Sequence, residues 1–265
     1  MDLKKLFATE GEQPFDHIPP SGGYAAIFRR IACIGDSLSS GEHETLSNGK
    51  KGFHDLFEYS WGQFIARDCG STVYNFSKGG MTAHRYLESF AEEMGFWSEE
   101  KRAQAYIVAL GVNDVTRIME GAYELGTIAD VHPDAPLQNA PTFAGWYGQI
   151  LSRYRAIEPR CKLFLMTMPS HHVDDERGRL YDAHQALLHE IAASFGNAYV
   201  LDFRRFAPSY DDPDIRRRFY LGGHLNAVGY RLTALMVEAY IDYLVRHNPD
   251  DFREVGLIGT PYYND

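Results

Sequence analysis

The chain has 265 residues, of which 45% are hydrophobic and 23% charged, a balance typical of a folded globular protein rather than a disordered or fibrous one. Its 36 acidic and 26 basic residues give a formal net charge of −10, which argues against nucleic acid and anionic lipid as partners, because both attract basic surfaces. The N-terminus lacks the apolar core of a signal peptide and no apolar run could span a bilayer, so we expect a cytoplasmic protein that acts away from membranes.

Short apolar runs alternate with longer amphipathic segments along the chain. Five runs are apolar throughout, as strands covered on both faces are: Arg30–Ile34, Thr72–Phe76, Ala105–Leu110, Leu163–Met168 and Ala198–Asp202. The helical patterns are Leu56–Cys69, Thr82–Glu93, Phe143–Ile157, Leu180–Phe195 and a last helix capped by Asn226. This alternation predicts right-handed βαβ units, and therefore a three-layer α/β/α sandwich around a five-stranded parallel sheet.

The alternating pattern indicates one domain, residues 28–248, with two peripheral segments. Residues 1–27 are rich in proline and glycine, which predicts an extended N-terminal arm. The C-terminal tail, residues 249–265, ends in apolar residues that would pack on the body or on a second subunit, so a homo-oligomer remains open. The segment Arg117–Pro141 is rich in Gly, Pro and Asp and predicts a long loop of the kind that forms lids or walls of sites.

Cysteine and histidine usage indicates neither a disulfide framework nor a metal site. Cys33, Cys69 and Cys161 cannot pair completely and show no CxxC spacing, which predicts buried, reduced thiols. The adjacent His171 and His172 have no second cluster with ligand spacing, so we expect no metal.

Polar residues with complementary chemistry follow the predicted strands or precede the last helix. They lie in the turns Gly35-Asp36-Ser37-Leu38-Ser39, Asn75-Phe76-Ser77-Lys78-Gly79-Gly80-Met81-Thr82, Gly111-Val112-Asn113-Asp114 and Gly222-Gly223-His224-Leu225-Asn226. In a doubly wound sheet these turns converge on one edge. A hydroxyl, an imidazole and N–H donors are the groups that acyl transfer requires: a nucleophile, a base, and donors for the oxyanion.

The four turns, in this order, resemble the sequence blocks of the SGNH (GDSL-type) hydrolase family, named for its serine, glycine, asparagine and histidine. The resemblance covers nearly all of the predicted domain. It implies the family's flavodoxin-like fold and hydrolysis of a carboxylic ester through an acyl-enzyme, without a cofactor. By this resemblance Ser37 is the nucleophile and His224 the general base. The oxyanion hole would comprise the N–H groups of Ser37 and Gly80 and the side chain of Asn113.

The chain departs from the family at one position. The family usually carries an aspartate three residues before the histidine, where this sequence has Leu221. A Ser–His dyad whose imidazole is oriented by a backbone carbonyl, such as that of Leu221, is the interpretation we favour, because the other residues are present. A loss of catalysis is one alternative. Another is an acid from elsewhere in the chain, with six candidates: Glu42, Glu44, Asp202, Asp211, Asp212 and Asp214.

The substrate is less constrained than the chemistry. Candidate substrate-binding residues are Asp36, Glu42, His43, Trp146 and His171, of which Trp146 could form an aromatic platform for a sugar ring. The family includes carbohydrate acetylesterases, lipases, thioesterases and arylesterases. The acidic charge disfavours an anionic or interfacial substrate, so our hypothesis is a carbohydrate O-acetylesterase acting on a small soluble ester, such as an acetylated oligosaccharide. The alternatives are a short-chain lipid esterase or thioesterase, and a catalytically weak ligand-binding member.

Overall fold

A computed structural model describes residues 7–169 and 174–262. In chain order its strands are β1 (Arg30–Gly35), β2 (Glu42–Ser47), β3 (Lys50–Asp55), β4 (Thr72–Ser77), β5 (Ala105–Ala109), β6 (Lys162–Met166), β7 (Ala198–Leu201), β8 (Tyr220–Leu221) and β9 (His224–Leu225). Its α-helices are α1 (Ser37–Ser40), α2 (Trp61–Cys69), α3 (Ala83–Arg85), α4 (Ala91–Glu93), α5 (Val112–Met119), α6 (Phe143–Ile157), α7 (Glu176–Phe195), α8 (Phe203–Phe206), α9 (Pro213–Phe219), α10 (Ala227–His247) and α11 (Pro249–Phe252). A π-helical turn, Tyr86–Phe90, joins α3 to α4.

The sheet has the predicted five parallel strands, in the order β4-β1-β5-β6-β7. Strand β1 shows why its sequence is apolar throughout. Ile31 and Cys33 pack into the core on one face, Ala32 and Ile34 pack into the core on the other, and all four are fully buried. Both faces of the sheet are therefore covered, which confirms the three-layer α/β/α sandwich.

Helices α2 and α10 cover one face of the sheet, and α6 and α7 cover the other. Helix α10 begins where the sequence predicts, because the Asn226 side chain accepts a hydrogen bond of 2.9 Å from the Gly229 N–H. All five strands run in the same direction, so the turns that follow β1, β4 and β5 meet at one edge of the sheet. That edge carries the candidate site.

The peripheral segments pack on the body of the protein. Within the predicted N-terminal arm, Pro20–Ile27 forms 3₁₀ turns that are interrupted by a kink at residues 21–23, and Ala25 is fully buried against the core. In the C-terminal tail, Val255 and Ile258 are buried in the same core. The segment Arg117–Pro141 begins inside α5 and continues as irregular chain with two short 3₁₀ turns. It is the loop-rich insertion that its composition predicts.

A β-hairpin between α1 and α2 is the main element that the sequence analysis did not predict. Strands β2 and β3 pair antiparallel and are joined by Asn48 and Gly49, whose φ angles are +51° and +75°. Positive φ at both positions is the requirement of a type I′ turn, and Asn-Gly is its strongest sequence signal. The strands carry few apolar residues, so the alternation by which a half-buried strand is recognised is absent.

Cys33, Cys69 and Cys161 are buried and unpaired, as predicted. Within the described part of the chain, the helices are all too short or too polar to cross a bilayer.

Candidate active site

A cavity of about 470 Å³ opens at the carboxyl edge of the sheet. Ser37, Asn113 and His224 all line it, so the structure brings together three residues that lie far apart in the sequence. Most of the remaining lining is apolar, with Leu38, Leu110, Val112, Met166, Met168, Pro169, Tyr210 and Leu225 among its members. The volume is in the range of small-molecule binding sites.

Ser37 is the first residue of α1, directly after β1, and is half-buried. The helix is capped by Asp36, whose Oδ1 accepts a hydrogen bond of 3.0 Å from the Leu38 N–H. The turn from strand to helix is so tight that a Cβ atom on Gly35 would lie 2.2 Å from Ser39 Oγ. The close contact explains the glycine at this position, and the tight turn places Ser37 in the lining of the cavity.

Asn113 follows β5 on the next turn of the edge. Its Nδ2 donates a hydrogen bond of 3.1 Å to the Met81 carbonyl and lies 3.4 Å from Asp36 Oδ2. The carboxamide thus bridges the turn that holds the serine and the turn that contains the two glycines.

Asp114 is a functional residue that the sequence analysis did not single out. It is 1% exposed, and its two carboxylate oxygens lie 3.0 and 3.2 Å from the Ala83 N–H, which donates to them. Its Oδ1 also accepts from the Tyr123 hydroxyl at 2.9 Å. Burial raises the pKa of Asp114 to about 7. The side chain ties α5 to the start of α3 and thereby positions the preceding turn, which contains Gly80.

Gly80 lies beside a second cavity of about 670 Å³ and is not part of the lining of the first. Its φ of +70° is in the left-handed region, which favours glycine. The candidate platform residue Trp146 lines this second cavity, where its ring packs 4.3 Å from His84 and 4.8 Å from Tyr123 between centroids.

His224 lies in β9 between two glutamates of the hairpin. Its Nε2 is 3.0 Å from Glu42 Oε1, and its Nδ1 is 3.7 Å from Glu44 Oε2. Nδ1 is buried without a hydrogen-bond partner, so the carbonyl of Leu221 does not accept from it as the dyad interpretation expects. No hydrogen bond joins Ser37 to His224 within the described residues.

Among the six candidate acids, the structure places only the two hairpin glutamates beside His224 in the described part of the chain. The other four have other partners, although Asp211 also lines the cavity: Asp202 contacts Gln185 and His189, Asp211 contacts Arg216, Asp212 is the N-cap of α9, and Asp214 contacts Arg217 and Arg218. The imidazole therefore has acidic neighbours, although none comes from the position that the family uses.

The two hairpin glutamates have opposite electrostatic environments. The ammonium group of Lys51 and the Gly223 N–H lower the pKa of Glu44. Burial raises the pKa of Glu42, and the nearby His224 opposes the rise. The backbone of Glu42 is held by the Tyr230 hydroxyl, which donates a hydrogen bond of 2.6 Å to its carbonyl.

Among the other candidate substrate residues in the described part of the chain, Asp36 lines the first cavity and His43 does not. His43 is buried, with Nδ1 2.9 Å from the Gly41 carbonyl oxygen and its ring packed against Tyr59 and Tyr230. His171 lies outside the described residues. Within those residues, no group of three or more His, Cys, Asp or Glu side chains could hold a metal ion.

A model of the GDSL-like lipase/acylhydrolase family matches residues 33–232 of the sequence. The chain belongs to this family. The protein is accordingly a hydrolase of ester bonds, and the four sequence blocks all lie inside the matched range. The comparison with curated proteins gives no significant match.

Solved structures of esterases share the fold at low sequence identity. The acetyl xylan esterase AlAXEase is 17% identical with a TM-score of 0.54, over 78% of this chain and 97% of its own. A family two carbohydrate esterase from Clostridium thermocellum, in complex with cellohexaose, is 16% identical with a TM-score of 0.57. The match covers 84% of this chain and 65% of the esterase chain. A family 2 carbohydrate esterase with a carbohydrate-binding domain from Corynascus thermopiles is 14% identical with a TM-score of 0.55. The match covers 82% of this chain and 66% of the esterase chain. These likenesses confirm the SGNH hydrolase fold.

Proposed function

We propose that the protein is a serine esterase that forms an acyl-enzyme on Ser37. The observation that carries this proposal is the convergence of Ser37, Asn113 and His224 on one cavity at the carboxyl edge of the sheet. These side chains are a nucleophile, an oxyanion donor and a base, the groups that acyl transfer needs within reach of one carbonyl.

In the proposed mechanism, Ser37 Oγ bonds to the ester carbonyl carbon while its proton passes to His224 Nε2. The carbonyl π electrons move to oxygen, and the resulting oxyanion collapses with loss of the alcohol, which takes the proton from His224. Water then attacks the acyl-enzyme with His224 as base, and the free acid leaves. In the structure, Nε2 faces Glu42 at 3.0 Å, so this contact opens when Ser37 transfers its proton.

The proposed oxyanion donors are the N–H groups of Ser37 and Gly80 and the Asn113 carboxamide. Two observations support this set. Asp114 anchors the turn that contains Gly80. The hydrogen bond of 3.4 Å from Asn113 Nδ2 to Asp36 is the longer of the two that this nitrogen donates, so it is the one that a substrate oxygen would replace.

For the substrate, we propose an acetyl ester of a carbohydrate. The second cavity supports it, because Trp146 and Tyr123 there present aromatic surface next to Gly80, where the alcohol half of the ester could stack through the apolar faces of its rings. An acetyl xylan esterase and two carbohydrate esterases have the same fold, which makes this substrate class compatible with the architecture.

A second candidate is an ester of a longer acyl chain. The observation that favours it is the predominantly apolar lining of the 470 Å³ cavity behind Ser37, including Leu110, Met166 and Met168. An acetyl group would fill only a small part of this volume.

The test compares the protein with its Ser37→Ala variant on acetyl, butyryl, octanoyl and dodecanoyl esters of p-nitrophenol and on acetylated xylo-oligosaccharides. We expect Ser37→Ala to lower kcat by about 10⁴-fold or more on every substrate, with folding unchanged by circular dichroism. Activity that falls beyond acetyl, with acetate release from the oligosaccharides, supports the carbohydrate ester. Activity that rises with chain length supports the second candidate. An unchanged rate in Ser37→Ala contradicts the proposed nucleophile.

A further inference from the structure

His224 has a buried nitrogen, Nδ1, for which the residue three positions earlier supplies no hydrogen-bond partner, although the family usually carries an aspartate there. Its Nδ1 has no hydrogen-bond partner, and Leu221, at the position of the usual aspartate, is 48% exposed and has no charge. In serine hydrolases the base uses Nε2 toward the serine, and a carboxylate at Nδ1 fixes the tautomer and stabilises the protonated ring. The side chain that faces Nδ1 therefore determines how this imidazole is oriented.

Glu44 is the carboxylate on that side of the ring, with Oε2 3.7 Å from Nδ1. It is held in place at both oxygens. Oε1 pairs with Lys51 Nζ at 2.6 Å, and Oε2 accepts a hydrogen bond of 2.6 Å from the Gly223 N–H. These contacts also lower the pKa of Glu44, so it remains ionised at neutral pH. A fixed negative charge thus lies against the orphaned nitrogen.

The two glycines before His224 make room for this carboxylate. A Cβ atom on Gly222 would lie 2.5 Å from the carboxyl carbon of Glu44, and one on Gly223 would lie 2.9 Å from its Oε2. Gly222 also has a φ of +63°, which favours glycine. The chain has no acid at position 221, but Gly222 and Gly223 leave room for the carboxylate of Glu44 from the hairpin.

Glu42 cannot fill the same role, although it also contacts the ring. Its Oε1 lies at Nε2, the nitrogen that must receive the proton of Ser37. Its other oxygen lies against Gly79, where a Cβ atom would be 2.3 Å away. Glu42 therefore contacts the nitrogen that Ser37 needs in the proposed mechanism, whereas Glu44 lies at the other nitrogen.

We propose that Glu44 is the positioning residue that orients His224 and stabilises its protonated form, in place of the acid that the family carries three residues before the histidine. This inference rests on the proposed function, since it assumes that His224 is the base. During proton transfer, the Ser37 proton moves to Nε2, the Nδ1 proton stays on the ring, and Glu44 remains ionised throughout. The hairpin, rather than the segment before the histidine, supplies the third member of the catalytic set.

The test measures kcat and KM on p-nitrophenyl acetate for Glu44→Gln, which keeps the shape of the side chain and removes its charge. We expect kcat to fall about 100-fold with KM unchanged, because Glu44 is not part of the cavity lining. The matched control is Glu58→Gln, an exposed glutamate near the end of the hairpin, which should leave both constants unchanged. In a His224→Ala background, Glu44→Gln should cause no further loss, because it acts through the ring.

Three results would overturn the inference. These are a kcat for Glu44→Gln within about threefold of the control, an equal loss in the His224→Ala background, and a larger loss in Glu42→Gln than in Glu44→Gln. If Glu44→Gln does not fold, ¹⁵N NMR of the histidine ring in the unmodified protein decides instead. A neutral ring protonated at Nδ1 supports the proposal, and one protonated at Nε2 overturns it. Activity that survives in Ser37→Ala or His224→Ala would contradict the proposed function itself. These two variants therefore distinguish a failure of the proposed function from a failure of the inference about Glu44.

Discussion

The two sides of the cavity that carries the proposed catalytic residues are built from different kinds of structure. The nucleophile wall consists of β1, β5 and the turns that follow them, and it carries Ser37 and Asn113. The histidine wall consists of the short β8–β9 pair, which carries His224, and of the β2–β3 hairpin, which lies behind this pair without lining the cavity. The first is continuous with the central sheet and is packed on both faces. The second lies outside the sheet and is largely exposed.

The difference indicates what holds each catalytic group. On the nucleophile wall, burial of apolar strands sets the backbone, and side chains such as Asp114 then lock the turns. On the histidine wall, a type I′ turn and a few polar contacts, including those of Glu44 with Lys51 and Gly223, determine where the hairpin lies. We therefore expect a substitution that displaces the backbone to cost mainly stability on the nucleophile wall and mainly catalysis on the histidine wall.

Apart from loss of the nucleophile itself, the largest effect is expected from Asn113→Ala on the nucleophile wall. Loss of one oxyanion donor should lower kcat by about 10²–10³-fold with little change in KM, because the donor acts on charge that develops in the transition state. The matched control is Asn197→Ala, which also removes a carboxamide that donates to a carbonyl, that of Cys161, far from the cavity. Both variants should lose about 1 kcal/mol in urea unfolding, but only Asn113→Ala should lose activity. Equal kcat in the two variants would remove Asn113 from the proposed oxyanion hole.

The second prediction compares a glycine from each wall. In Gly35→Ala the new Cβ meets Ser39 Oγ at 2.2 Å in a buried turn, and we expect a loss of about 1–3 kcal/mol in the free energy of unfolding. In Gly222→Ala the new Cβ meets the Glu44 carboxylate at 2.5 Å, next to exposed chain that can move. We expect a smaller loss of stability and a loss of kcat of about tenfold or more, because the glutamate is displaced from the ring.

Urea unfolding and steady-state kinetics on the same two variants separate the walls. If the free energy of unfolding and kcat change in parallel in both variants, the two sides of the cavity respond to substitution in the same way. The two walls would then not differ in what holds their catalytic groups.

The sequence predicts the nucleophile wall well for a physical reason. Buried parallel strands are apolar on both faces, so β1 is visible as an apolar run, predicted at Arg30–Ile34 and observed at Arg30–Gly35. The residues after such strands must lie at the carboxyl edge, so the order of strands and turns along the chain is enough to place Ser37 and Asn113 together.

The histidine wall is harder to predict because its contacts are distant in the sequence and polar. The Gly223 N–H and the Glu44 carboxylate that it binds are 179 positions apart. Nothing in the local pattern around either residue indicates the other, and the hairpin strands lack apolar alternation. Only the Asn48-Gly49 turn signals the hairpin, and it does not reveal which of the two glutamates reaches each nitrogen of the imidazole.

The smallest effect is expected in the pH dependence of stability, because the pKa of a carboxylate is raised on the nucleophile wall and lowered on the histidine wall. Burial, followed by the nearby charges of Asp114 and Glu42, raises the pKa of Asp36 from 3.8 to about 7. The folded protein then keeps a proton that the unfolded chain has released, so this group's contribution to stability falls as the pH rises from 3.8 to about 7. Lys51 and the Gly223 N–H lower the pKa of Glu44, so its contribution is present above its ordinary pKa of 4.5 and is lost as the pH falls below it.

Urea unfolding across this pH range should therefore distinguish Asp36→Asn from Glu44→Gln. Asp36→Asn should flatten the decline in stability between pH 3.8 and about 7, since the replaced group no longer releases a proton on unfolding. Glu44→Gln should leave the range above pH 4.5 unchanged and reduce the loss of stability on the acid side of pH 4.5. If both variants reduce the decline in stability over the same pH range, the Glu44 carboxylate is desolvated as strongly as that of Asp36. Glu44 would then be neutral over much of that range, and it could not supply the fixed charge on which its proposed action at His224 depends.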